Sequence, residues 1–258
     1  MTTLAFTEPV GPDGAPLLVL GPSLGTSTIL WESVAPALAQ THRIVAWDLP
    51  GHGDSAAAST AFSVADLADA VAAGASALGV DSIRYAGVSL GGAVGLELLL
   101  RHAALVERAA ILCSGAAIGT PDAWRERAAK VRAESTSALI IGSAQRWFTP
   151  GSIASHPDLT GRLLHVLQNA DDESYARCCE ALASHDVRDR LGEISAPVLA
   201  IWGEQDEVTP ESSVREIAAG VVDGSAAGIA EASHLAPVDA PAAVAALLTQ
   251  FLNERSRE

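Results

Sequence analysis

The segment Tyr85-Ala86-Gly87-Val88-Ser89-Leu90-Gly91-Gly92 joins an apolar, strand-like run to a helical one with almost no connecting chain. The helical pattern begins by Ala93, so the turn is confined to a Gly-x-Ser-x-Gly pattern centred on Ser89. So abrupt a turn leaves no room for a β-carbon two residues to either side of the serine, and both positions are glycine, Gly87 and Gly91. The turn lifts one hydroxyl above the end of a strand and aims the first N–H groups of a helix at it. A strand that feeds directly into a helix is half of a βα unit, and a mainly parallel sheet follows only where further such units alternate along the chain.

The rest of the chain supplies them. Strand-like runs are expected at Thr3 to Val10, Pro16 to Leu20, Arg43 to Leu49, Arg108 to Cys113, Pro197 to Trp202 and Ala226 to Ala230, besides the one that carries the serine. Helical periodicity falls between them, at Ile29 to Gln40, Val64 to Leu78, Ala93 to Leu105, Glu211 to Ala219 and Pro241 to Asn253. From about 115 to 191 the strand rhythm stops, and only helical segments follow, at Ala123 to Arg132, Leu139 to Trp147 and Ser174 to Ala183. This order predicts an α/β fold: a mostly parallel, twisted sheet flanked by helices, with a helical lid inserted after the sixth strand. Residues 1–114 and 192–258 would form the core and 115–191 the lid, within one domain of 258 residues. Ligands of open α/β sheets bind at the C-terminal edge of the strands, where the lid would lie.

Composition narrows the partners. The hydrophobic fraction of 49% is ample for a core, and the net charge is −15 with Lys130 as the only lysine. An acidic chain without basic clusters is not expected to bind nucleic acid or an anionic membrane surface. Cys113 and the adjacent Cys178 and Cys179 make a poor disulfide framework and fit a reducing compartment, and no histidine stands at ligand spacing from the pair, so no metal is expected. The first residues lack a basic start and a long apolar core, which predicts a cytoplasmic protein without a signal peptide. Homo-oligomerisation is left open.

A serine hydroxyl becomes a nucleophile only beside a base, and the base needs an acid to orient it. Asp206 stands in the loop leaving the run Pro197 to Trp202, and His234 stands just before the last helix, each at the end of a strand-like segment. Ser89, Asp206 and His234 therefore follow in the order nucleophile, acid, base, and Glu204 is the alternative acid. Taken singly, Asp206 could be a turn residue and His234 a surface histidine; their order and placement favour catalysis. His52, between Gly51 and Gly53, reads as a turn-setting residue, and His42, His102, His156, His165 and His185 have no matching serine motif. An oxyanion would need two N–H donors. The N–H of Leu90 follows the serine, and the N–H of Leu24 lies in the glycine-rich loop Gly21 to Ser27, where Pro22 offers none. That loop lacks the Gly-Lys-Ser/Thr and dinucleotide glycine patterns, so no cofactor is expected.

With these stretches in place the chain resembles an α/β-hydrolase-fold enzyme over nearly its whole length, and within that superfamily the 3-oxoadipate enol-lactonases of the β-ketoadipate pathway. Asp48 to Gly53 and Gly-x-Ser-x-Gly carry the broad resemblance. The narrower one rests on Ser23-Leu24-Gly25-Thr26, on Ile118 to Trp124, on Arg146 to Pro150 and on Tyr175 to Leu182. Pro22 departs from the asparagine usual in the family, and Ala133 to Thr136 is also atypical. The resemblance implies a small anionic lactone or ester as partner, cleaved by Ser89, with Arg146 as candidate for the substrate carboxylate beside Trp147. Arg125 and Arg127 are weaker competitors because Glu126 shares their helix. The rival readings are a general carboxylesterase, a carbon–carbon bond hydrolase or a perhydrolase on the same scaffold, and a non-catalytic ligand-binding protein.

Overall fold

Leu17–Gly21 and Val198–Gly203 are continuous apolar runs rather than alternating ones, as are the C-terminal parts of two further strands from Tyr85 and from Ala109, the pattern of strands covered on both faces. In the computed structural model, which describes residues 3–254, they form one parallel sheet. Its strands are β1 (Leu17–Gly21), β2 (Arg43–Ala46), β3 (Ile83–Val88), β4 (Val106–Leu112), β5 (Val198–Gly203) and β6 (Gly224–Ile229). Their order is β2-β1-β3-β4-β5-β6. All residues of β1 and β5 are buried, whereas the edge strand β6 is largely exposed along its Gly-Ser-Ala-Ala-Gly run. The chain leaves β1 for β2 on one side and then returns to lay β3 on the other, so the crevice between β1 and β3 is the topological switch point. The register pairs Gly21 with Gly87, which ends both strands at the same level and sets the loop after β1 beside the serine turn.

The structure corrects the strand count. Thr3 to Val10 forms only isolated antiparallel bridges, Phe6 to Trp47 and Val10 to Ile44, and the sheet has six strands among the described residues. Pro9 has no N–H to give a ladder, and Gly11 turns away at φ 126°. The helical stretch consequently follows β4, the fourth strand, and not the sixth. The helix expected over Ile29 to Gln40 breaks into a 3-10 turn, Thr28–Trp31, and one short helix, Ala35–Leu38, opened by Pro36 near its start. The serine helix begins at once, at Leu90, and ends at Arg101.

Between β4 and β5 the principal helices are Pro121–Glu134, Ile140–Trp147, Pro150–Ser155, Pro157–Asn169 and Asp172–Ala183. Proline at the first helical position starts three of them, where its missing N–H costs nothing. Asp171 caps the last, accepting the Ser174 N–H at 2.8 Å. This stretch is fastened to the sheet domain at several places. Asp171 N–H donates to Gly51 O at 2.9 Å and the Arg177 guanidinium to Ala58 O at 2.6 Å, beside the loop after β2. In the loop after β6, Ser233 Oγ donates to Arg146 O at 3.0 Å, and Leu235 N–H to Trp147 O at 2.9 Å. Among the described residues no helix is long and apolar enough to cross a membrane.

Candidate active site

Ser89 sits at φ 55°, ψ −115°, a left-handed backbone that a non-glycine residue holds only when its surroundings enforce it. The enforcement is visible. Ser89 N–H donates to Leu112 O at 2.9 Å, Ser114 Oγ donates to Ser89 O at 2.7 Å, and Tyr85 Oη donates to Gly91 O at 2.7 Å. A β-carbon on Gly87 would collide with the Gly91 carbonyl, and one on Gly91 would stand 2.6 Å from Pro22 O. Both glycines are therefore required by the turn, as its abruptness in sequence predicts.

The loop after β1 is built onto this turn. Gly91 N–H donates to Pro22 O at 2.9 Å, and Trp31 Nε1–H holds Gly21 O at 3.1 Å. Pro22 thus serves the loop through its carbonyl. Gly25 takes φ 84° and lies against the Trp147 indole, to which a β-carbon would approach within 3.1 Å. Thr28 N–H and Asp54 N–H both donate to the buried Asp48 carboxylate, at 2.8 and 2.9 Å, which ties the same loop to the end of β2. Leu24 and Ser23 line the cavity above Ser89. Leu90 is the first residue of its helix, so its N–H has no partner within that helix.

Asp206 and His234 follow β5 and β6. The Asp206 carboxylate is saturated: Oδ1 accepts the N–H groups of Val208 and Thr209 at 2.8 and 3.1 Å, and Oδ2 accepts Thr209 Oγ1 at 2.7 Å. Oδ2 also lies 2.9 Å from His234 Nδ1, with both side chains buried. Burial by itself would raise this carboxyl. The His234 charge and hydrogen bond, with those from Thr209, outweigh it and hold Asp206 below the ordinary carboxylate range. An ionised Asp206 accepts the Nδ1 proton, which assigns the lone pair to Nε2, the nitrogen a base would use. Glu204, the alternative acid, is exposed and is not hydrogen-bonded to His234, whose carboxylate partner is Asp206. Thr209 was not foreseen; its signal was the Asp-x-x-Thr spacing, by which a side-chain carboxylate caps the turn it opens.

Ser89 and His234 open onto one cavity of about 440 Å³, roofed by the helical stretch. Arg146 and Trp147 both line it, as does Arg127. Trp147 is buried and meets Phe148 edge to face at 6.1 Å, whereas Arg146 is exposed at the mouth. Three cations, Arg127, Lys130 and Arg146, face this space against one carboxylate, Glu126, in a chain of net charge −15. Arg125 points elsewhere, to Asp122 at 2.8 Å.

The other singled-out groups lie apart from this chemistry. His52 is buried, its Nδ1 2.9 Å from Pro50 O and its ring stacked on Tyr175 at 5.9 Å, and burial pushes its pKa down to about 4. Cys113, Cys178 and Cys179 are buried thiols, and burial pushes Cys179 up to about 12, which keeps it protonated. Among the described residues no three His, Cys, Asp or Glu side chains are grouped to hold a metal ion.

Comparison with known proteins identifies the family. The sequence profile described as alpha/beta hydrolase fold matches residues 16–241. The chain is 33% identical over 228 residues to 3-oxoadipate enol-lactonase 2 of Acinetobacter baylyi, covering 88% of this chain and 85% of that one. It is 31% identical over 231 residues to 3-oxoadipate enol-lactonase 1 of the same organism, covering 90% and 86%. Among solved structures, the enol-lactonase from Burkholderia xenovorans superposes with a TM-score of 0.93 at 31% identity, covering 97% of this chain and 96% of that one.

Proposed function

The chain belongs to the alpha/beta hydrolase fold family, and from that membership we propose that it is a serine hydrolase that opens a carboxylate-bearing lactone, 3-oxoadipate enol-lactone, to 3-oxoadipate. The observation that carries the reading is one cavity into which Ser89 and His234 both open, with Asp206 fixing the far nitrogen of the imidazole. The relatives named enol-lactonases support the choice of ester.

In this reading His234 Nε2 takes the Ser89 proton as Oγ attacks the lactone carbonyl. The oxyanion so formed lies between the N–H groups of Leu24 and Leu90, donors of a kind that contribute about 3–4 kcal/mol each to the transition state. Collapse breaks the ring C–O bond, and the enolate oxygen leaves with the proton from His234, the enol then tautomerising to the ketone. A water, deprotonated by His234, attacks the acyl-enzyme; Ser89 recovers its proton and the new carboxylic acid departs. The balance is lactone plus water to keto acid. Arg146 and Trp147, on the helical lid over residues 115–191, would meet the substrate's free carboxylate and ring as they enter the cavity.

The cavity also favours a second reading. At about 440 Å³ it lies within the range that holds drug-sized ligands, roomier than a single five-membered ring needs, which suits a carboxylesterase acting on larger esters.

The test is the ultraviolet absorbance of 3-oxoadipate enol-lactone on addition of purified protein. Its decay, abolished in Ser89→Ala, is expected. Cleavage of aryl esters with the lactone untouched would decide for the carboxylesterase, and full activity in Ser89→Ala would end the nucleophile assignment.

A further inference from the structure

We propose that Arg127 selects an anionic acyl chain in this site and that Tyr175 is the residue that positions it. The inference rests on the ester-hydrolase reading and deepens it by naming the group that discriminates among substrates.

Arg127 is half-buried on the cavity wall, and among the described residues it has no carboxylate partner. Its guanidinium is instead held by rings. It lies 5.7 Å from the Tyr175 centroid and 5.9 Å from that of Trp124, and its Nε–H donates to Tyr175 Oη at 3.0 Å. Rings and a phenol oxygen orient a guanidinium without neutralising it. The bond at Nε leaves the Nη groups, the pair that meets a carboxylate in bidentate fashion, without a hydrogen-bond partner among the described residues. Tyr175 cannot drift, since it is fully buried and stacked on the equally buried His52.

Arg146 is built differently. It is exposed along much of its length, has no ring over its guanidinium among the described residues, and stands near enough to Arg127 that burial of its cavity-facing part and this second cation push its pKa below the ordinary arginine value. An anion seated at Arg127 relieves that repulsion, so Arg146 guides charge toward the mouth while Arg127 holds it. Glu126 and the ion-paired Lys130, 3.9 Å from Glu134, flank the same wall. A neutral acyl chain gains nothing from these cations. The substrate class is therefore an ester or lactone whose acyl portion ends in a carboxylate.

The experiment compares p-nitrophenyl hemisuccinate with p-nitrophenyl acetate, and reads the ratio of their kcat/KM values. Arg127→Gln is expected to lower the ratio about 10- to 100-fold through KM for the hemisuccinate, the range typical of a lost charged hydrogen bond. Tyr175→Phe keeps the ring and removes only the oxygen, and is expected to lower the ratio several-fold in the same way. An unchanged ratio in Arg127→Gln, or a selective loss seen only in Arg146→Gln, would overturn the proposal. Inertness of the wild type toward both esters would strike the hydrolase reading instead. Calorimetric binding of succinate to wild type and Arg127→Gln then still decides the anion seat, equal affinity counting against it.

Discussion

The Leu235 N–H donates to the Trp147 carbonyl at 2.9 Å, one residue beyond His234. The loop that carries His234 is thus hung from the helix that roofs the cavity. Ser233 Oγ reaches the neighbouring Arg146 carbonyl at 3.0 Å, so the residues on both sides of His234 are held by the same helix end. Anything that shifts this helix displaces the imidazole.

Asp239 is the third fastening, since its carboxylate accepts Ser233 N–H at 2.8 Å and Thr149 N–H at 3.2 Å. Asp239→Ala leaves both donors without an acceptor, which should cost about 1–3 kcal/mol of stability. Loosening the His234 loop should also lower kcat by roughly ten- to a hundred-fold, the order seen when a reacting group is misplaced by about an ångström. Urea denaturation and steady-state kinetics on an aryl ester measure the two effects. Loss of stability at full kcat would show that the fastening holds the fold but does not aim the base.

The sheet domain was largely legible because its signals are local. Gly87, Ser89 and Gly91 fix a turn that permits one geometry, and continuous apolar runs mark the buried strands. Thr3 to Val10 misled because an extended segment becomes a strand only with a ladder partner, and that is a tertiary matter. In the helical stretch the existence of helices was readable, but the turns at Pro150 and Pro157 and the helix Pro157–Asn169 were not predicted. Which face of Pro121–Glu134 turns inward was not readable either. Arg125 and Arg127 look equivalent beside Glu126 in sequence, and only packing against Tyr175 sends Arg127 to the cavity while Arg125 meets Asp122.

His52 gives the fold a sensitivity to acid. Folding depresses its pKa from 6.5 to about 4 through burial. Between those values the unfolded chain binds a proton that the folded one refuses. Stability from this group is complete above about pH 6.5 and is lost as pH falls toward 4, by up to about 3 kcal/mol. Chemical denaturation from pH 7 to pH 4.5 should show a shallower decline for His52→Gln than for wild type, whatever the variant's stability at neutral pH. Parallel declines would mean that the buried imidazole is not what the acid attacks.

Gly91 joins the serine turn to the loop after β1. A methyl group there would meet Pro22 O at 2.6 Å and Gly21 C at 2.7 Å, both backbone atoms that cannot swing aside. Gly91→Ala should therefore push the Leu24 N–H away from the Leu90 N–H. Losing one oxyanion donor costs about 10²- to 10³-fold in kcat, with little change in KM because the donors act on charge that develops only in the transition state. A rise in KM at unchanged kcat would locate the damage in the cavity wall and not at the oxyanion.

Asp206→Asn tests the acid most directly. The carboxylate receives the Val208 and Thr209 N–H groups on one oxygen and the His234 Nδ1 proton on the other, so an amide that keeps its oxygen on the two backbone donors must turn its own donor toward Nδ1. The imidazole then adopts the tautomer with its proton on Nε2 and cannot accept the one from Ser89. The expected fall in kcat is about 10³- to 10⁴-fold, with the fold retained. Stability should change with pH in a definite sense. Because folding lowers the Asp206 pKa despite burial, wild type owes stability to this group above the unfolded carboxyl's value near 4, and loses it as pH falls through the lower folded value. The variant lacks that increment, so the stability difference between the two proteins should narrow with acidification over this range. A difference that stayed constant would mean that His234 and Thr209 do not stabilise the ionised form, and an Asp206→Asn enzyme with wild-type kcat would remove Asp206 from the catalytic reading altogether.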